Sequence, residues 1–186
     1  MIIIKNIYYF YIENTKDIDL NNIKGCKKKI IIYRNNKTKE NIERLKSFKK
    51  QCNKKGFKLY IANNLGIARA CKANGLYLSS YNQKIYLNKS LDLIGSAHNF
   101  SEIYQKIKQG CKTIILSRLF KTSYNDNKKH LGVVKFNLIQ KKYSIDLIPL
   151  GGINNSNLLK LNLVKSKGCA FLSGVKKKPT ITSRLF

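Results

Sequence analysis

Eight short runs of β-branched and aromatic residues, each followed by a polar or helix-forming stretch, constrain this chain more than any other feature. They are IYYFYI (7–12), KIIIYR (29–34), FKLYIA (57–62), LYLS (76–79), LDLIGSA (91–97), TIILS (113–117), IDLIPLGG (145–152) and CAFLSG (169–174). Most are nearly continuous in apolar character rather than strictly alternating, as expected of strands covered on both faces of a parallel layer. The segments between them carry helical periodicity. Residues 38–56 place Ile42, Leu45, Phe48 and Cys52 at helical spacing, with Thr38 positioned as a cap and Gly56 as the stop. Residues 64–75 form a shorter helix. In 100–110, Phe100, Ile103, Tyr104 and Ile107 share one face, with Ser101 and Glu102 suited to the first turn. Val133, Phe136, Leu138 and Ile139 mark another helix, and residues 155–168 a last one.

This alternation predicts an α/β fold, a small (β/α)8 TIM barrel with shortened helices, formed by residues 1–186 as one domain. An open doubly wound sheet uses the same alternation and is the competing architecture. A chain of 186 residues is shorter than most such barrels. The meagre helical segments after the first and fourth strands account for the shortfall.

Lys and Arg number 37 against nine acids, a formal net charge of +28. The bases are spread along the whole chain and accompany an excess of Asn, Ile, Tyr and Phe, the signature of an A/T-rich coding bias. Without a docking motif, nucleic acid is not the expected partner; a pocket for phosphorylated small molecules needs only a few of these lysines. Five cysteines with no Cys-x-x-Cys pair point to free thiols in a reducing, cytoplasmic setting. The apolar start is broken by Lys5 and Asn6 and reads as strand, not as a signal peptide.

In a barrel of this kind chemistry gathers where strands end. Those ends carry Arg34, Asn63, Ser79, Ser96, His98, Ser117, Arg118, Gly151, Gly152, Ser173 and Gly174, and no Asp or Glu. Small residues and exposed amides suit a phosphate. The Gly151-Gly152 pair, followed one strand later by Ser173-Gly174, predicts a phosphate cradle at the last two strand ends. His98 is the one group there that changes protonation near neutral pH. His130, in a Lys-rich loop, is expected in solvent, and Cys169 in the core.

LIGSAHN, TIILSRLFKT, LIPLGGINNSN and GCAFLSGV occur in an order and spacing that resembles thiamine phosphate synthase and its relative the thiazole tautomerase. The resemblance is clearest over 91–175. It implies an enzyme of thiamine biosynthesis that joins hydroxymethylpyrimidine pyrophosphate to a thiazole phosphate, releases pyrophosphate and uses Mg²⁺. It places catalytic roles on His98 and Ser96, and pyrophosphate and phosphate contacts on Arg34, Thr122, Gly151, Gly152, Ser173 and Gly174. Lys128 and Lys129 stand in for a lysine beyond Thr122. The metal positions fall on Asn63 and Asn82, where asparagine offers a neutral carbonyl oxygen without the charge that holds Mg²⁺ beside a pyrophosphate. Ile32 and Asn36 replace the Gln and Lys that flank the family's pyrophosphate arginine. The alternatives are a tautomerase-like isomerase using His98, or a catalytically impaired protein that binds a thiamine precursor or RNA.

Overall fold

The computed structural model describes residues 5–23, 27–35, 41–86, 91–122 and 129–172. Eight strands pair in parallel and in chain order to close a barrel, β8 returning to β1. They are β1 (Ile7–Ile12), β2 (Lys28–Tyr33), β3 (Phe57–Ala62), β4 (Gly75–Leu78), β5 (Asp92–Ala97), β6 (Thr113–Ser117), β7 (Asp146–Leu150) and β8 (Gly168–Phe171). The open-sheet alternative is thereby excluded. Each predicted run lies within a residue or two of a strand, except that β7 and β8 stop before their terminal glycines.

Alternate residues of each strand enter two separate apolar clusters. In β1, Tyr9 and Tyr11 belong to the cluster that fills the barrel, while Tyr8, Phe10 and Ile12 belong to the one beneath the helices. Burial on both faces is why the runs read as continuously apolar. Tyrosine is unusually prominent in the lumen, where Tyr9, Tyr11, Tyr60 and Tyr77 are each at most 5% exposed. Small residues make room for them. A Cβ on Gly168 would meet the Tyr9 ring at 3.1 Å, and one on Gly75 would overlap the Tyr60 ring.

The helices are α1 (Ile42–Lys54), α2 (Leu65–Ala70), α3 (Phe100–Lys108) and α4 (Gly132–Lys141). Among the described residues between β1 and β2 the chain makes two 3₁₀ turns, Thr15–Asp17 and Leu20–Asn22, and residues 79–86 after β4 contain no helix. These are the two places where the sequence predicts stunted helix. Asn41 caps α1 by accepting from Glu43 N at 2.9 Å; Thr38, the predicted cap, lies outside the described residues. Leu45, Phe48 and Cys52 are buried, as the spacing requires, while Ile42 at the start of the helix is exposed.

Two helical expectations need correction. Residues 155–168 do not form an α-helix; Leu158–Leu163 is a 3₁₀ helix. Its buried residues, Leu158 and Leu161, together with Val164 just beyond it, recur every three positions, the period of that tighter helix. The apolar stripe predicted for α3 is mostly on the outside: Ile103 is buried, but Phe100, Tyr104 and Ile107 are 49%, 58% and 39% exposed. The lysines Lys142 and Lys108 lie over the Phe100 and Tyr104 rings at 5.6 and 4.6 Å. The inner face of α3 instead carries Lys106, with Gln109 at its end, both buried, for a reason given below.

Cys52, Cys71, Cys111 and Cys169 are buried thiols outside any disulfide, and Cys26 lies outside the described residues. Burial pushes the Cys52 and Cys111 thiols up to about 12, from an ordinary value of 9.0, and the Tyr9 phenol up to about 12. A folded-state value raised in this way makes a contribution present in full below the unfolded value and lost as pH rises. Burial shifts Lys5, Lys49 and Lys106 down from 10.5, which opposes this. The thiols are carried as far as about 12, and over this interval they set the sign. We expect the thermal midpoint to fall steadily between about pH 8.5 and about pH 10; a flat or rising midpoint over that interval would contradict this assignment. Among the described residues no helix is long and apolar enough to cross a membrane.

Candidate active site

A cavity of about 530 Å³ opens at the carboxyl ends of the strands, within the size range of small-molecule sites. Its cationic side chains are Arg34, Arg118 and Lys129, and no carboxylate is among the described residues that line it. Hydroxyls from Tyr77, Ser79, Ser80, Ser96 and Ser117 supply much of the remaining polar surface. Such a pocket favours an anion of several charges, which arginine engages through two parallel hydrogen bonds.

The floor is neutral. Tyr11 Oη donates to Tyr77 Oη at 3.1 Å, the rings meeting edge to face, and Tyr77 also bonds the Ser96 side chain. Burial holds both phenols above their ordinary range, so they stay protonated and act as hydrogen-bonding groups. Arg34, just beyond β2, stands over the Tyr11 ring with Cζ 5.8 Å from its centroid.

Arg118 sits at a strand end within the TIILSRLFKT run, and both its backbone and its head group are held. Its carbonyl accepts from Leu131 N at 2.9 Å, and its Nη1 donates to Thr122 Oγ1 at 2.6 Å. Thr122 is buried and does not line the cavity; it acts on the pocket through Arg118. Gly151, which does line it, has φ +97°, and a Cβ there would meet Arg118 Cγ at 3.2 Å.

Gly152 answers to a different neighbour. A Cβ on it would overlap the carbonyl oxygens of Phe120 and Lys121, and its φ is +71°. The close approach that excludes a side chain at Gly152 is therefore made by the backbone of the β6–α4 loop. Phe120 N donates to Gly151 O at 3.0 Å and Leu119 N to Leu150 O at 2.9 Å, strapping that loop to the end of β7. Ser173, Gly174 and Lys128 lie outside the described residues; Lys129 is exposed on the pocket rim.

His98 lines the cavity with its side chain 57% exposed. Its Nδ1 lies 2.9 Å from Glu102 Oε2, and the same oxygen accepts from His98 N at 2.8 Å. A carboxylate partner at Nδ1 favours the tautomer that leaves Nε2 as acceptor. Glu102 is held in turn by Asn99, whose Nδ2 donates to Oε1 while its Oδ1 accepts from Glu102 N, each at 2.9 Å. Asn99-x-x-Glu102 has the spacing of a capping box, the signal in the sequence that marks this pair. Asn99 is the cap, and Ser101 and Glu102 stand in the first turn as the sequence suggests.

Asn63 and Asn82 face each other, but as a closed amide corner. Asn63 Oδ1 accepts from Ser79 N at 3.0 Å and from Asn82 Nδ2 at 2.9 Å. Asn63 Nδ2 donates to Ser79 Oγ at 2.6 Å and to Tyr81 Oη at 3.1 Å. That uses the whole hydrogen-bonding capacity of the side chain. Asn82 Oδ1 accepts from Lys84 N at 2.9 Å. This neutral, internally satisfied donor set does not fit a divalent cation, and no cluster of three His, Cys, Asp or Glu occurs among the described residues.

Beneath that corner sits Lys106, with no exposure at all. Its Nζ donates to Asn82 O at 2.7 Å and to Gln109 Oε1 at 2.9 Å, and Gln109 Nε2 donates to the carbonyls of Asn82 and Lys84. The stem runs past Gly95, where a Cβ would come within 2.8 Å of Lys106 Cγ. A helix-face lysine thus clamps the 79–86 segment on which the pocket wall is built.

A sequence model of the family described as "Thiamine monophosphate synthase" matches residues 14–175 of this chain. A thiamine-phosphate synthase of Clostridium perfringens (strain 13) is 28% identical over 162 residues, which covers 83% of this chain and 78% of that protein. One of Prochlorococcus marinus subsp. pastoris is 29% identical over 148 residues, 77% of this chain but only 42% of the relative, so the chain spans less than half of that protein's length. Among solved structures, thiamine phosphate pyrophosphorylase from Pyrococcus furiosus superposes with a TM-score of 0.77 at 17% identity, covering 97% of this chain and 92% of the other. That likeness bears on the fold.

Proposed function

This chain belongs to the thiamine monophosphate synthase family, and on that premise we propose that it couples hydroxymethylpyrimidine pyrophosphate with a thiazole phosphate to give thiamine phosphate and pyrophosphate. The observation that carries the reading is the cavity at the strand ends, with Arg34, Arg118 and Lys129 along it and no carboxylate among the described residues that line it. The bond between the pyrimidine methylene carbon and the diphosphate oxygen breaks, its electron pair leaving with the diphosphate. The thiazole nitrogen then gives its lone pair to that carbon, forming the new C–N bond, and no net proton is exchanged. Fixed positive charge beside the departing oxygens lowers the barrier because the charge it answers grows only as the bond breaks.

In this reading the three cations take the diphosphate, with Thr122 holding Arg118. Ser96 and His98 form a hydrogen-bonding wall for the pyrimidine, with Glu102 orienting the imidazole. Gly151 leaves the end of β7 open for the thiazole phosphate; Ser173 and Gly174, the other expected phosphate contacts, lie outside the described residues. Gly152 supports this cradle by letting the β6–α4 loop close against it. Mg²⁺ belongs to the family chemistry as a counter-ion for diphosphate, but the residues at Asn63 and Asn82 do not supply its ligands.

The test is direct. Purified protein given both substrates should form thiamine phosphate, read by chromatography of the oxidised fluorescent product. No product, together with no binding of the thiazole phosphate by calorimetry, overturns the reading.

A further inference from the structure

We infer that Arg118 is the principal receptor of the leaving diphosphate, in a subsite that needs no protein-held Mg²⁺ because the Asn63–Asn82 corner is a structural brace. The inference rests on the synthase reading above and assigns the division of labour within its pocket.

Arg118 is fixed at three points. Leu131 N holds its carbonyl, Gly151 presents a bare Cα against its stem, and Thr122 Oγ1 accepts from its head group. The loop that carries it is strapped to β7 through Leu119 and Phe120. An arginine restrained in this way has already lost much of the side-chain freedom that binding would otherwise remove. Arg34 and Lys129 line the same cavity, so the diphosphate meets three positive groups and, among the described residues that line it, no competing carboxylate.

The opposite requirement, a metal held by the protein, meets an occupied corner. A cation at Asn63 Oδ1 would have to displace Ser79 N or Asn82 Nδ2 and would gain no negative charge in return. Asn63 adopts φ +57°, a left-handed conformation that asparagine tolerates, and its amide ties three residues of the 79–82 segment together. This is the geometry of a brace. Lys106 and Gln109 lock its far side through the Asn82 carbonyl.

Inorganic pyrophosphate is the probe. Titrated calorimetrically into the wild-type chain, it should bind in EDTA, and excess Mg²⁺ should leave its affinity unchanged or weaken it by competing for the anion. Arg118→Gln should lower that affinity at least tenfold, and Arg118→Lys should recover only part of it, because lysine lacks the planar fork. Thermal melts of both variants establish that each is folded. Wild-type binding that requires Mg²⁺, or a folded Arg118→Gln variant that binds as the wild type does, overturns the inference. Thiamine phosphate formation is scored separately in EDTA and in Mg²⁺. Turnover confined to Mg²⁺ with no pyrophosphate binding in EDTA would leave the synthase reading standing and remove this one. Absence of product in either medium strikes the underlying reading instead.

Discussion

Lys106→Ala is expected to lower the stability of the folded chain by about 3 kcal/mol, a loss of about 6–12 °C in thermal midpoint. The side chain is wholly buried, so truncation leaves a cavity beside Gly95. It also removes the donor that Nζ directs at Gln109 Oε1 and one of the two donors at Asn82 O. Lys106→Met separates the two causes. Methionine keeps the apolar stem and relieves the cost of burying an ammonium, so its stability should stay within about 1 kcal/mol of wild type. Both variants should bind pyrophosphate more weakly, because the 79–86 segment that carries Ser79, Ser80 and Tyr81 to the pocket is no longer clamped. If Lys106→Met binds pyrophosphate as the wild type does, the lysine fills space and does not position the wall.

The second large effect is expected at Gly152→Val, again about 3 kcal/mol or more, against a total stability of about 5–15 kcal/mol for a domain of ordinary size. Two costs combine there. A branched side chain must adopt the left-handed region, and its Cβ must displace the carbonyls of Phe120 and Lys121. The β6–α4 loop carries Arg118 and Thr122, so binding and stability should fail together. Gly151→Ala provides the contrast: at φ +97° it also carries a backbone cost, but its Cβ would meet the Arg118 side chain at 3.2 Å rather than displace backbone carbonyls, so it should lower the melting temperature less than Gly152→Val while weakening pyrophosphate binding. Urea unfolding of both variants, beside their binding isotherms, checks the split. A fully stable Gly152→Val would contradict the packing assigned to this glycine.

The barrel is readable from sequence because strands buried on both faces leave a simple mark. Runs such as KIIIYR (29–34) and FKLYIA (57–62) cannot be accommodated half in water, and the number and spacing of such runs point to closure. The candidate site is readable only where its chemistry sits in local motifs: Ser96 and His98 on one strand end, Gly151 on another, Arg34 after a third. Long-range contacts leave no such mark. Phe100, Tyr104 and Ile107 have helical spacing, but the surface beneath α3 offers it a polar slot at the Asn82 carbonyl and an apolar position at Ile103. The apolar residues of 155–168 suit a period of 3.6 on paper, whereas the buried ones, Leu158, Leu161 and Val164, repeat every three.

Backbone pattern and strand-end composition by themselves determined eight parallel strands covered on both faces and the edge of the sheet that bears the pocket, since burial of alternating faces is a property each segment carries alone. Only the tertiary structure decided that the sheet closes, that Gly152 makes way for a loop, that Arg118 is locked into the pocket by Thr122, and that the amides of Asn63 and Asn82 are taken up by bonds to each other, Ser79, Tyr81 and Lys84. Those are properties of groups that the fold brings together, and a hydrogen bond or a clash exists only when both partners have been carried to the same place.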